Sequence, residues 1–148
     1  MRFSLKSEYA LRASLDLALH ASASRLARTS DVARRTGAPA KFLEAVLGQL
    51  RRAGVVASER GSRGGHCLAR SPSRIGAGDV IRAVEGPDGL AVRPGQRRPP
   101  PGAAASSRAL HQMWTEAERA LSASLDGVSL EDLARRVQES SGVPDFSI

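Results

Sequence analysis

Residues 29–54 contain the pattern that most constrains the fold, because they predict two short helices on either side of a tight turn. Thr29 or Ser30 can cap the first helix, and Gly37 stops it. Pro39 then starts the second helix, as proline commonly does at a first helical position. Two helices joined by a glycine-containing turn predict a helix-turn-helix.

The second helix has one apolar face. Its apolar residues recur at helical spacing and therefore predict a side that packs on a core. They are Phe42, Leu43, Val46, Leu47 and Leu50, and Gly54 ends the helix.

The opposite face of this helix carries charged and small side chains. It comprises Lys41, Glu44, Ala45, Gly48 and Arg51 or Arg52. The small side chains allow a DNA groove to approach the helix backbone. Lys41 provides a hydrogen-bond donor and Glu44 an acceptor near the start of the helix. This pattern favours insertion into the major groove of DNA. The alternative is a solvated helix face with incidental small residues.

Residues 55–70 predict a β-hairpin directly behind the second helix. The β-branched start of "VVASER" leads into a polar strand, "GSRGG" forms a turn that tolerates positive φ, and "HCLAR" returns. Arg60 and Arg63 lie at the tip, as in a wing that follows the phosphate backbone or enters the minor groove. A nucleotide-phosphate cradle is not favoured, because the Lys-Ser/Thr ending of a P-loop is missing.

The basic charge belongs to the first half of the chain. The net charge is +7, and residues 1–74 hold 14 Lys and Arg against 5 Asp and Glu, while residues 75–148 hold 8 against 10. A concentrated basic surface binds polyanions by releasing their counterions, so nucleic acid is the first expected partner and an anionic membrane surface the second.

Length and composition place the chain in the cytoplasm as one modest domain. Its 148 residues contain no apolar run near the roughly 20 that span a bilayer, so no membrane partner is expected. The single cysteine, Cys67, cannot form an internal disulfide.

The remainder of the chain is predicted to be helical. A first helix runs from Ser4, its N-cap, to about Ala21. Ser129 caps a last helix, with Asp132 in the capping-box position. The first helix has an apolar stripe of Leu11, Leu15, Ala18 and Leu19, and a long helix near the C-terminus has a seam of Leu110, Met113, Trp114, Ala117, Leu121 and Leu125.

The fold class predicted from these elements is mainly α-helical with a small β-hairpin wing, a winged helix-turn-helix plus a long dimerisation helix. We expect a DNA-binding domain over 1–86, a Pro/Arg-rich loop over 87–105, dimerisation and C-terminal helices over 106–139, and a disordered tail over 140–148. A dimer interface is expected at Leu110, Trp114, Ala117 and Leu121.

Three segments together resemble the Rrf-two type (BadM/IscR/NsrR-like) winged-helix transcription regulators. They are "SEYALRASLDLALH", "VARRTGAPAKFLEAVLGQLRRAGVVASERGSRGGHCLAR" and "GDVIRAVEG", and the resemblance is closest over residues 1–86. It implies a homodimer that binds a pseudo-palindromic operator on double-stranded DNA as a repressor or an activator, and of the two we predict a repressor. By position, Lys41, Glu44 and Ala45 face bases and Arg60 enters the minor groove; Ser30, Arg51 and Arg63 are further predicted DNA contacts.

The chain departs from that resemblance in the loop before the dimer helix. Many members carry three cysteines there that hold an iron-sulfur cluster, whereas this loop reads "PDGLAVRPGQRRPPPGAAASSR". His111 and Glu8 match residues that assist cluster binding in some members, but they cannot hold a cluster without thiolates. We therefore predict no iron-sulfur cluster, no other metal and no cofactor. The effector, a small molecule or a protein, stays open.

Cys67 is a possible redox sensor. Strand alternation places it on the face opposite His66 and Leu68, which predicts a thiol that faces solvent or DNA. Nearby arginines would favour its thiolate, and oxidation beside DNA would weaken binding. The alternative is a small apolar filler.

No enzyme is predicted, because the three histidines lie on separate elements without a catalytic spacing or a metal motif such as HExxH. The remaining alternative is a protein-interaction module that docks a partner enzyme, with DNA binding incidental.

Overall fold

The computed structural model describes residues 3–92 and 98–142. Within these ranges the chain forms six α-helices and one antiparallel hairpin, with a 3₁₀ turn at Pro72–Arg74. The elements are α1 (Leu5–His20), α2 (Thr29–Thr36), α3 (Ala40–Arg52), β1 (Val56–Glu59), β2 (Gly65–Leu68), α4 (Ala77–Glu85), α5 (Ala105–Asp126) and α6 (Leu130–Ser141). The predicted fold class, mainly helical with a small hairpin, is confirmed.

Helix α1 is the central element, in contact with α2, α3, α4 and α6. Ser4 caps it as predicted, since its side chain accepts a hydrogen bond from the Ser7 amide. The predicted apolar stripe is half-buried: Leu11 and Ala18 pack against the core, but the fully buried face of α1 lies beside the stripe. The buried residues of α1 are mostly small: they are Ser7, Ala10, Ala13, Ser14, Asp16 and Leu17. Small residues let four neighbouring helices approach one axis.

An ion pair between Asp16 and Arg35 joins α1 to α2. Arg35 donates two hydrogen bonds to the Asp16 carboxylate, from Nε at 2.8 Å and from Nη2 at 2.9 Å. Asp16 is 6% exposed, whereas the Arg35 side chain is 29% exposed, so the bidentate pair joins a buried carboxylate to a partly solvent-exposed guanidinium.

The helix-turn-helix forms over α2 and α3. Gly37 ends α2 with a φ of 72°, and Pro39 is the N-cap of α3. The predicted cap of α2 is wrong: Arg28 occupies the N-cap position and no side chain caps the helix. Four of the predicted apolar residues of α3 are buried and Phe42 is half-buried; the four are Leu43, Val46, Leu47 and Leu50.

Strands β1 and β2 pair in the register Val56 to Leu68 and Glu59 to Gly65. The backbone of His66 also pairs with that of Ala27 through two hydrogen bonds of 2.7 and 2.9 Å. Gly65 is required there, because a Cβ at this residue would lie 2.6 Å from the Ala27 carbonyl oxygen. The hairpin is thereby joined to the segment that precedes α2.

Helix α5 is anchored at its C-terminal end and buries none of its described residues. Its 22 residues extend about 33 Å. Gly78 allows the close approach to α4, since a Cβ would lie 2.0 Å from the Asp126 carboxylate. Arg82 of α4 donates to that same carboxylate at 2.6 Å.

Helix α6 packs back on the N-terminal half. Ser129 and Asp132 form the predicted capping box, and Leu130 is fully buried in the core with α1. The division of the chain at residue 86 stays a prediction. Helix α6 continues through Ser141, into the first residues of the predicted disordered tail, and residues 143–148 lie outside the described ranges. Among the described residues, no helix has the length and apolarity needed to cross a bilayer.

Candidate nucleic-acid interface

Helix α3 presents the face that the sequence predicts. Lys41, Glu44, Ala45 and Arg51 are exposed, while the intervening apolar residues face the core. A Cβ added at Gly48 would have one neighbour, the flexible Arg52 guanidinium at 3.5 Å. The exposed face of α3 is therefore open around Gly48, with few bulky side chains over the backbone. A helix that enters a DNA groove needs such a face.

The exposed cations of α3 and the hairpin have no carboxylate partner within residues 3–92 and 98–142. This set comprises Lys41, Arg51, Arg52, Arg60 and Arg63. Arg34 differs from this set, since it is paired with Asp31. Glu44 is also outside these ion pairs, so the alternative in which it pairs with Lys41 or Arg51 is not observed. Unpaired cations keep their charge available for phosphates.

The hairpin tip is shaped by glycine. Gly61 has a φ of 102°, and the Gly64 amide closes the turn on the Gly61 carbonyl at 3.0 Å. A Cβ at Gly64 would lie 2.2 Å from the Glu59 carbonyl oxygen, which no side chain tolerates. This compact turn leaves Arg60 and Arg63 exposed on either side of its bend.

The start of α2 lies against this hairpin. Ser30 is exposed in the first turn of α2, and the preceding Arg28 donates from its guanidinium to the Ser62 carbonyl at the hairpin tip. Ser30 therefore lies two residues from Arg28, which contacts the wing. The predicted contacts from Lys41 to Arg51 lie on a different surface, the exposed face of α3.

Sequence reasoning missed a role for His66. Its Nδ1 lies 2.7 Å from Ser58 Oγ and its Nε2 lies 2.8 Å from Thr29 Oγ1. Burial, and secondly the positive charge of Arg51, lower the pKa of His66, which favours the neutral imidazole. Cross-strand pairing with Ser58 follows from the hairpin register, but the contact with Thr29 requires the tertiary fold.

The prediction that Cys67 faces solvent or DNA is wrong. Cys67 is 7% exposed and lies on the buried face of β2, as Gly65 does. Burial, and secondly the negative charge of Glu59, raise the pKa of the Cys67 thiol, so the expected thiolate is not favoured. Strand alternation separated the two faces correctly, but the identity of the inner face depended on what packs beneath it.

The predicted dimer seam lies along α5. Leu110 is 54% exposed and Met113 is 47% exposed. Ala117 is exposed, and Trp114 and Leu121 are half-buried. Among the described residues, the apolar side chains of Leu110 and Met113 are therefore left exposed along this long helix.

A helix-turn-helix followed directly by a basic hairpin defines the winged helix-turn-helix class of DNA-binding regulators. The family described as "Rrf2: Iron-dependent Transcriptional regulator" matches residues 3–136, and the chain belongs to this family.

The relatives and similar structures are regulators rather than enzymes. The transcriptional regulator IscR of Aliivibrio salmonicida is 36% identical over 134 residues, which span 90% of this chain and 77% of that protein. The structure of CymR, the global cysteine regulator of B. subtilis, superposes with a TM-score of 0.74 at 30% identity and covers 92% of this chain and 98% of its own. T. potens IscR gives a TM-score of 0.77 at 26% identity, over 99% of this chain and 95% of that one.

The donor set of this chain does not fit an iron-sulfur cluster. The whole sequence has one cysteine, on β2. The open cleft before α5, about 640 Å³ in volume, is lined by Arg98, residues 99–102, Arg108 and His111, and guanidinium groups do not ligate iron. Within the described ranges no three His, Cys, Asp or Glu side chains converge as metal ligands. Glu8 pairs instead with Arg12 at 2.8 Å.

Proposed function

We propose that this protein is a cytoplasmic, homodimeric repressor that binds a pseudo-palindromic DNA operator and contains no iron-sulfur cluster. The observation that carries the proposal is the group of exposed, unpaired cations on α3 and the wing, in a chain of a transcription-regulator family.

Helix α3 is the element that enters the major groove. Ala45 and Gly48 let the groove approach its backbone, and Lys41 donates to base or phosphate oxygens. Glu44 accepts a hydrogen bond from cytosine N4 and repels acceptor-bearing base edges, so it contributes discrimination more than affinity.

The wing and the start of α2 supply the remaining contacts. Arg60 enters the minor groove, where a narrow A·T-rich segment attracts arginine. Arg63, Arg51 and Ser30 contact phosphates, which position the protein without reading sequence.

The partly exposed apolar seam of α5 supports a two-fold dimer. Two copies that bury Leu110, Trp114, Ala117 and Leu121 against each other would present two α3 helices to half-sites about 34 Å apart. A dimer that covers an operator overlapping a promoter would exclude polymerase, which is the simplest route to repression.

The test is selection of bound fragments from random double-stranded DNA, followed by a salt titration of the selected site against a scrambled one. We expect an enriched two-fold motif whose preference over the scrambled site survives physiological salt. Binding that shows no preference and disappears with salt would overturn the proposal and favour the protein-interaction module with incidental DNA affinity.

A further inference from the structure

The wing is fastened to the start of α2 at three points. Backbone hydrogen bonds join His66 to Ala27, and Arg28 donates to the Ser62 carbonyl. The third point is the His66 side chain, held between Ser58 Oγ of β1 and Thr29 Oγ1 of α2 at 2.7 and 2.8 Å. One imidazole thus connects both strands of the wing with the first helix of the helix-turn-helix.

Each partner in this bridge is chemically satisfied. A neutral imidazole donates from one ring nitrogen and accepts at the other, and a hydroxyl performs either role. Thr29 is the first residue of α2 and Arg28 is the N-cap, so the Thr29 hydroxyl does not serve as the helix cap. All three residues are half-buried, so the hydrogen bonds are partly shielded from water.

The wing needs such support. Its strands have four residues each, and an isolated two-stranded hairpin is marginal in water. Arg60 begins the turn two residues after Ser58, so a hinge motion of the hairpin moves Arg60 with it. A mobile wing would have to be ordered when it binds DNA, and the lost conformational entropy would weaken binding. A wing that is already held in place in the free protein avoids this loss.

We propose that His66 is a positioning residue for DNA recognition: through Thr29 and Ser58 it holds the wing at a fixed angle to the helix-turn-helix, so that Arg60 meets the minor groove while α3 occupies the major groove. This inference rests on the proposed function. It assigns His66, Thr29 and Ser58 a part in binding although none of them needs to touch DNA.

The experiment is a double-mutant cycle between the bridge and the wing arginine. Thr29→Val and Ser58→Ala each remove one hydroxyl, while Thr29→Ser keeps it and Ser73→Ala removes a surface hydroxyl whose partner, Ser71, lies outside the wing. Each variant is measured with and without Arg60→Ala, by affinity for the operator selected from random DNA.

We expect Thr29→Val and Ser58→Ala to weaken operator binding about 3- to 10-fold when Arg60 is present and less than about 2-fold when it is absent. Thr29→Ser and Ser73→Ala should bind as the parent does. Equal losses in both Arg60 backgrounds, or no loss in the parent background, would overturn the proposal.

Amide hydrogen exchange without DNA separates this proposal from the proposed function. In Thr29→Val, the Gly64 and His66 amides of the wing should exchange faster, by about 3-fold or more, while the Val46 and Leu47 amides of α3 stay unchanged. Unchanged wing exchange would overturn the bridge even if the operator is found. A parent protein that selects no DNA motif would overturn the proposed function, and faster wing exchange would still support the fastening of the wing.

Discussion

Arg60 is the residue whose exposure bears most directly on DNA recognition. It lies at a glycine-shaped turn without a carboxylate partner in the described part of the chain, so its guanidinium is available to a minor groove. We expect Arg60→Ala to weaken specific operator binding by about 1 to 3 kcal/mol. Thermal unfolding should be unchanged, because an exposed wing tip adds little to the core.

Fluorescence anisotropy with the selected operator measures this change. Arg74→Ala is the matched control, since Arg74 is an exposed arginine beyond the wing. Parent-like affinity of Arg60→Ala would show that the wing does not enter the groove.

The Cys67 thiol is expected to resist modification, because burial both covers it and raises its pKa. Native protein should react with a disulfide reagent on the order of 100-fold more slowly than protein in urea. A Cys67→Ala, Ala69→Cys double variant provides an exposed thiol two residues away as the control. Rapid labelling of native Cys67 with reversible loss of DNA binding would instead support the redox sensor.

At the scale of elements, the packing of α2 on α1 depends on the contact between the buried carboxylate of Asp16 and the guanidinium of Arg35. Asp16→Asn should lower the free energy of unfolding by about 2 to 3 kcal/mol, because Arg35 loses a bidentate, charge-assisted partner. Urea unfolding measures the difference.

Asp31→Asn is the control for this variant, since the Asp31 pair with Arg34 is exposed and should contribute less than about 0.5 kcal/mol. Equal effects of the two variants would mean that the Asp16 pair contributes no more than a surface contact.

At the scale of the whole molecule, α5 provides the face on which assembly is proposed. Leu121→Glu should bury an unpaired charge at the two-fold seam and convert the dimer to monomer, with loss of operator binding. Sedimentation velocity reports the change in mass. Ala123→Glu places the same charge on an exposed position two residues further along α5 and should remain dimeric. An unchanged dimer in Leu121→Glu would remove this seam from the interface.

The whole chain also carries the prediction about metal. A single cysteine per chain supplies too few soft ligands for a cluster, even in a dimer. Protein purified without oxygen should be colourless, hold no stoichiometric iron or sulfide, and bind the operator equally well with and without a chelator. A visible cluster that alters operator affinity would contradict this and direct attention to His111 and Glu8.

Much of the fold follows from local patterns in the sequence. Three features of this kind are the apolar spacing of α3, the end of α2 at Gly37 and the capping box at Ser129. Each depends on residues a few positions apart, so it can be predicted from the local sequence. The exposure of the α3 cations is predicted in the same way, because the residues opposite the apolar face of a helix point away from the core.

The tertiary structure decided which surfaces are covered. The buried stripe of α1, the inner position of Cys67, and the His66 contact with Thr29 depend on segments far apart in the chain. Periodicity divides an element into two faces, but burial is determined by the element packed against them. The sequence by itself therefore determined the elements and the basic face, and tertiary packing alone decided the environment of the thiol and the attachment of the wing.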